Sequence, residues 1–148
     1  MPSSRATTAP LVVLLVCAPA DLPAAAVVAQ RLRADGMQAL VAGELSGPGG
    51  GSPRALREAL GRAQVVLCCL SRRSWDAGQL VQPLAGVLEL LPLIPDAGRA
   101  LLTLRLAAVD PPEALQRRPA VDLFSASGYR QLLEALRANV AGVFLGKP

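Results

Sequence analysis

The sequence predicts an α/β domain of the doubly wound kind, and three observations carry that prediction. Short apolar runs alternate with amphipathic helical stretches about five times along the chain. Val65–Leu70 is an unbroken apolar run, the pattern of a central strand covered on both faces. The length of 148 residues suits one domain with a real core.

Residues 1–9 are rich in Ser, Thr, Ala and Pro and read as a flexible tail, followed by a domain over 10–138 and a tail or linker over 139–148. Strand one is Leu11–Cys17. Together with Arg5 and Ala18-Pro19-Ala20 it imitates a short secretory signal. The run is too short to span a membrane, and the later pattern needs it as a strand. A loop over Ala18–Pro23 follows, with Asp21 expected to cap helix one, Ala24–Ala34. Val27, Val28 and Leu32 are expected to face inward, and Arg31, Arg33 and Asp35 outward. Gly36 ends that helix, and Gln38–Ala42 is a short strand two.

Gly43–Pro53 reads as a mobile loop, among the least ordered internal segments. A phosphate loop would close on Lys-Ser/Thr, and Ser52-Pro53-Arg54 stands there instead. Ser52 is the expected cap of helix two, Arg54–Arg62, whose Leu56, Ala59 and Leu60 face inward. Strand three is Val65–Leu70. Helix three is expected over about Leu80–Leu91, a turn over Pro95–Arg99, and strand four over Ala100–Leu106. Val109–Pro119 is irregular, with Pro111 and Pro112. Strand five is Ala120–Phe124, with Asp122 a turn cap. The last helix starts at Ser127 or Gly128 and aligns Tyr129, Leu132, Leu133 and Leu136 on one face. The expected core includes Val13, Leu15, Val66, Cys68, Leu102 and Leu104.

Composition excludes several functions. The net charge of +4 comes from scattered arginines with few aromatics, so no nucleic-acid partner is expected. The absence of histidine removes the commonest general base and metal ligand, and no metal site is expected. Cys17, Cys68 and Cys69 form neither a CxxC spacing nor an even disulfide framework. They read as buried thiols of a reducing compartment, which places the chain in the cytoplasm. Lys147 is the sole lysine among many arginines, as in a GC-rich bacterial genome.

A binding crevice in an open α/β sheet lies at the carboxyl ends of the strands. Ser71-Arg72-Arg73-Ser74-Trp75 therefore stands where a site would be. Without an accompanying base, Ser71 and Ser74 read as turn and cap hydroxyls rather than nucleophiles. Trp75 lines a pocket or a partner surface, or is simply half-buried. Arg72 and Arg73 read as a solvated turn rather than a phosphate clamp.

Several segments together resemble a bacterial TIR (Toll/interleukin-1 receptor) domain, from about Leu11 to Arg137. They are strand one with Asp21 after it, Leu32-Arg33-Ala34-Asp35-Gly36, Leu56–Leu60 followed by Ala63–Leu67, and Leu70–Ser74. Gly78–Gln82, Leu104-Arg105-Leu106, Pro111-Pro112, Val121–Phe124 and Gly128-Tyr129 complete the order. The resemblance implies a flavodoxin-like three-layer sandwich whose five-stranded parallel sheet has the order 2-1-3-4-5, with helices on both faces. It also implies a signalling or defence module that pairs with other TIR domains, with itself, or with a larger protein.

Some members of this family cleave NAD at the nicotinamide glycosidic bond with a glutamate in the first turn of the third helix. Pro83 aligns there, and Val41-Ala42-Gly43-Glu44 replaces the family's aromatic-acidic pair. The reaction passes through an oxocarbenium-like cation that a carboxylate stabilises, and proline has no charge to offer. Glu89 lies six residues on, roughly 240° around a helix, and Glu44 sits in the glycine loop. The expectation is a TIR-like interaction module without catalysis, degenerate at Pro83, that needs no cofactor. The alternative is an NAD glycohydrolase that uses an unconventional carboxylate such as Glu44 or Glu89. Candidate ligand-binding residues are Asp21, Glu44, Ser71, Ser74 and Trp75, with NAD the possible ligand. A phospho-receiver domain is excluded on residues: no acidic cluster follows strand one, Ser71 follows strand three, and no lysine precedes Lys147.

Overall fold

The computed structural model describes residues 11–42, 53–90 and 101–140. Glu44, most of the glycine loop, Ser52, the Pro95–Arg99 turn and the end of the C-terminal tail lie outside the described residues. The central sheet is parallel throughout. Its strands are β1 (Val12–Val16), β2 (Gln38–Val41), β3 (Val65–Leu70), β6 (Leu101–Arg105) and β7 (Ala120–Asp122). A separate antiparallel pair, β4 (Trp75–Asp76) and β5 (Gln79–Leu80), forms a hairpin after β3. The spatial order β2-β1-β3-β6-β7 is the expected 2-1-3-4-5 once the hairpin is set aside. The apolar run Val65–Leu70 does sit at the centre, buried at every residue.

Alternating strand residues divide the core into two clusters. On one face α1 (Leu22–Ala34) and α4 (Gly128–Val140) cover Val13, Leu15, Cys69, Leu102 and Leu104. On the other, α2 (Pro53–Arg62) and α3 (Leu84–Leu90) cover Leu14, Val16, Val66 and Cys68. All six residues expected in the core are buried. Between β6 and β7 the chain makes one short 3-10 turn at Glu113–Leu115, and Leu115 fills the second cluster.

Four expectations require correction. Val27 is 57% exposed, because the buried face of α1 runs through Ala25, Val28, Ala29 and Leu32. Those spacings of three and four make one stripe. The alanines that carry it give little apolar contrast to read. Helix three begins at Leu84, not Leu80, because Trp75 to Leu80 pair as a hairpin. The Val81 amide bonds the Ser74 carbonyl and extends that pairing. Strand five ends at Asp122, leaving Phe124 half exposed in the turn before α4. The last helix meanwhile reaches Val140, into the segment read as a tail.

β2 is an edge strand, and its open carbonyls invite strand pairing with another chain. Arg33 reaches over from α1 and donates from Nε and Nη2 to the Ala39 carbonyl, at 3.2 and 2.8 Å.

Candidate functional site

The carboxyl ends of β1 and β3 lie side by side, since Val16 is in register with Cys68. The chain leaves β1 through a 3-10 turn, Pro19–Asp21, that sets Asp21 at the mouth of the sheet. It leaves β3 at Ser71. Asp21 was expected to cap α1, yet its side chain makes no cap hydrogen bond. Instead Ser71 donates from Oγ to Asp21 Oδ2 at 2.6 Å, with both residues buried. A hydroxyl-to-carboxylate bond this short is of the charge-assisted kind.

Ser71 and Ser74 form a reciprocal capping box around the Arg72–Ser74 turn. The Arg73 amide donates to Ser71 Oγ at 2.9 Å, and the Ser71 amide donates to Ser74 Oγ at 2.9 Å. Ser74 is completely buried. Both hydroxyls therefore hold the turn, as their sequence context suggests. Arg72 and Arg73 project into solvent. Trp75 is half-buried and packs against the second cluster, opposite Leu80 in the hairpin. The hairpin turn uses Ala77 at φ 54° and Gly78 at φ 82°, the positive values that a tight two-residue connection requires.

Pro83 stands immediately before α3, and its carbonyl accepts the Val87 amide at 2.9 Å. Gln82 beside it accepts from the Gly86 amide through Oε1 at 3.0 Å. The space for that contact exists because residue 86 has no side chain: a Cβ there would lie 2.7 Å from Gln82 Oε1. Glu89 is exposed, while Leu84 and Val87 supply the buried face of α3. The structure thus brings Asp21, Ser71 and Ser74 together, sets Trp75 next to them in the chain, and leaves Glu89 on the solvent side.

Two clusters escaped the sequence reading. Arg105 and Asp122 end adjacent strands in register, and Arg105 grips both carboxylate oxygens of Asp122 at 2.6 and 3.0 Å. Its Nη1 also donates to the Val109 carbonyl. The hydrogen bond from Arg105 holds the Asp122 carboxyl below its ordinary range, against a smaller opposing effect of burial. The side chain of Asp122 is therefore an ion-pair partner and not a turn cap; its backbone carbonyl takes that role, accepting from Ser125. A charged residue within each of two consecutive predicted strands was the available signal.

In the second cluster, Tyr129 donates to Asp35 Oδ2 at 2.7 Å, and the Arg31 guanidinium lies 3.8 Å from its ring centroid. This ties α4 to the end of α1. Burial, and then the bond to Asp35, raise the phenol pKa above its ordinary value.

Cys17, Cys68 and Cys69 are all buried, and none forms a disulfide. Burial pushes the Cys68 thiol up to about 12, so it is no nucleophile at neutral pH. Among the described residues there is no metal-ligating cluster, and no helix is long and apolar enough to cross a membrane.

No curated protein matches the chain. The sequence model of the TIR domain family does, over residues 13–136, from the second residue of β1 to the middle of α4. That span takes in every strand of the sheet and the Asp21–Ser71 junction, and on it the chain belongs to the TIR domain family.

Proposed function

We propose that this TIR domain is a protein–protein interaction module of a signalling or defence system, and that it works without catalysis. Membership in the family supports the signalling or defence role in general. The observation that carries the finer reading is the Asp21–Ser71–Ser74 network. Among the described residues, Asp21 is the carboxylate that follows β1 at the crevice, and it takes the Ser71 hydroxyl, while both serine hydroxyls are committed to backbone amides of the turn. A cleavage site for an N-glycoside needs a carboxylate facing the developing cation. Asp21 is engaged in the protein's own packing, Glu89 faces solvent, and Pro83 occupies the position that the family resemblance assigns to the glutamate.

In this reading residues 10–138 form the interacting unit of a cytoplasmic assembly, with 1–9 a tail and 139–148 a tail or linker. The partners are other TIR domains, a second copy of the chain, or the remainder of a larger protein. The test is to incubate the purified chain with NAD, at concentrations high enough to promote assembly, and follow nicotinamide release. The expected result is no release above the protein-free rate. One lost charge-stabilising group commonly lowers a rate by about 10²–10³. Turnover that Glu44→Ala or Glu89→Ala abolishes would overturn the proposal.

A further inference from the structure

A trough of about 600 Å³ runs between α1 and α4, within the usual size range of ligand clefts. It lies on the α1–α4 face of the sheet. Its lining is apolar along Val27, Val28, Leu123 and Leu133, and cationic where Arg31 and Arg130 enter it. Among the described residues, no acidic one lines it. We propose that this trough docks a short, acidic, amphipathic segment of a partner protein, one or two apolar side chains flanked by carboxylates. The inference rests on the interaction-module reading and names where and to what the module binds.

Three features lead to this occupant. Val27 is 57% exposed on the outer side of α1, so the trough offers apolar area that a partner side chain would remove from water. Arg31 is not a loose surface cation. Stacking on Tyr129, itself bonded to Asp35, sets its guanidinium at the trough before any ligand arrives. Arg130 is exposed on α4 and lines the same trough, so a segment lying there meets a cation from each helix. Potentials of this kind select partners by complementarity.

The same features disfavour other occupants. A small inorganic anion would leave the apolar floor uncovered. A second copy docking through the same face in a two-fold arrangement would set one cationic trough against another, and like charges in apposition oppose association.

The experiment uses the full chain and fluorescein-labelled hexapeptides, followed by fluorescence anisotropy at low and at physiological salt. The acidic probe is Glu-Asp-Leu-Phe-Asp-Glu, and its control is the amide counterpart Gln-Asn-Leu-Phe-Asn-Gln. The acidic peptide is expected to bind, the amide peptide at least about fivefold more weakly, and added salt to narrow that gap. Arg130→Glu should weaken the acidic peptide about tenfold and leave the amide peptide unchanged. Val27→Asp should weaken both. Arg130 is exposed, so its variant keeps the fold, which circular dichroism checks. Absent binding of the acidic peptide, equal binding of the two peptides, or indifference to Arg130→Glu would each overturn the inference. Sedimentation velocity and nicotinamide release on the same samples separate the two readings. Self-association without peptide binding removes only the trough, whereas NAD turnover removes the non-catalytic module itself.

Discussion

At the scale of single residues, the Asp21–Ser71 bond has the most to lose. Asp21 and Ser71 are fifty positions apart and almost fully buried, at 8% and 9% exposure. Removing one partner strands the other, which costs about 1–3 kcal/mol for a buried polar group and more for a charge. Asp21→Ala should therefore destabilise the fold by about 2 kcal/mol and Ser71→Ala by a similar amount. The double variant should lose clearly less than the sum, because neither stranded group remains. Urea unfolding of the three variants checks this, and simple additivity would show that the bond contributes little. Both residues were legible as crevice residues, since each follows an apolar run. Their pairing was not, because it depends on which strands are neighbours. Val27 shows the reverse case. A valine in a helix was read as buried, yet the alanines at 25 and 29 take the core positions. In so alanine-rich a helix, side-chain size does not mark the inward face.

At the scale of elements, the C-terminal ends of β6 and β7 are fastened by Arg105 and Asp122, with side chains 23% and 38% exposed. The bond also anchors the loop at Val109 and sets the turn before α4. Gly128 starts α4 so close to that turn that a Cβ would lie 2.5 Å from the Asp122 carbonyl. The native carboxyl of Asp122 titrates below its unfolded value, chiefly through the hydrogen bond from Arg105. Its stabilising effect is then complete above the unfolded pKa and fades as pH falls through the lower native one. Asp122→Asn should accordingly be less stable than the native chain at pH 7. That deficit should shrink progressively below about pH 4. Denaturant midpoints measured across this range test the sign, and a gap that widens in acid would contradict it. Because the pair is partly solvated, added salt should narrow the gap at pH 7. The long strands were readable from their apolar runs. The β4–β5 hairpin was not, since two-residue strands carry no periodicity, and Asp76-Ala77-Gly78 was the slight turn signal available.

At the scale of the whole molecule, one sheet serves two cores. Val13 and Leu15 face α1 and α4, while Leu14 and Val16 face α2 and α3, and β3 and β6 likewise supply residues to both clusters. The sequence made the sheet legible because its central strands are apolar on both faces, and the strand order followed from the family resemblance. Which helix covers which face required the structure. A shared sheet predicts one cooperative unit, in which damage on either side lowers the stability of the whole. β3 should hold the slowest amides, because it lies between β1 and β6 and every residue of it is buried. Its amides should exchange only through global unfolding. The β4–β5 hairpin, with Asp76 and Gln79 exposed, should exchange through cheap local opening. Two truncations probe the coupling: Leu132→Ala on the α4 side and Leu84→Ala on the α3 side, both at fully buried positions. Each should cost about 2–5 kcal/mol. Hydrogen exchange followed by mass spectrometry should then show the Val65–Leu70 amides losing the same free energy as the denaturant-measured stability in both variants. The hairpin amides should hardly change. If Leu84→Ala left β3 protection intact while loosening only α2 and α3, that layer would be a separate unit and the single-unit description would fail.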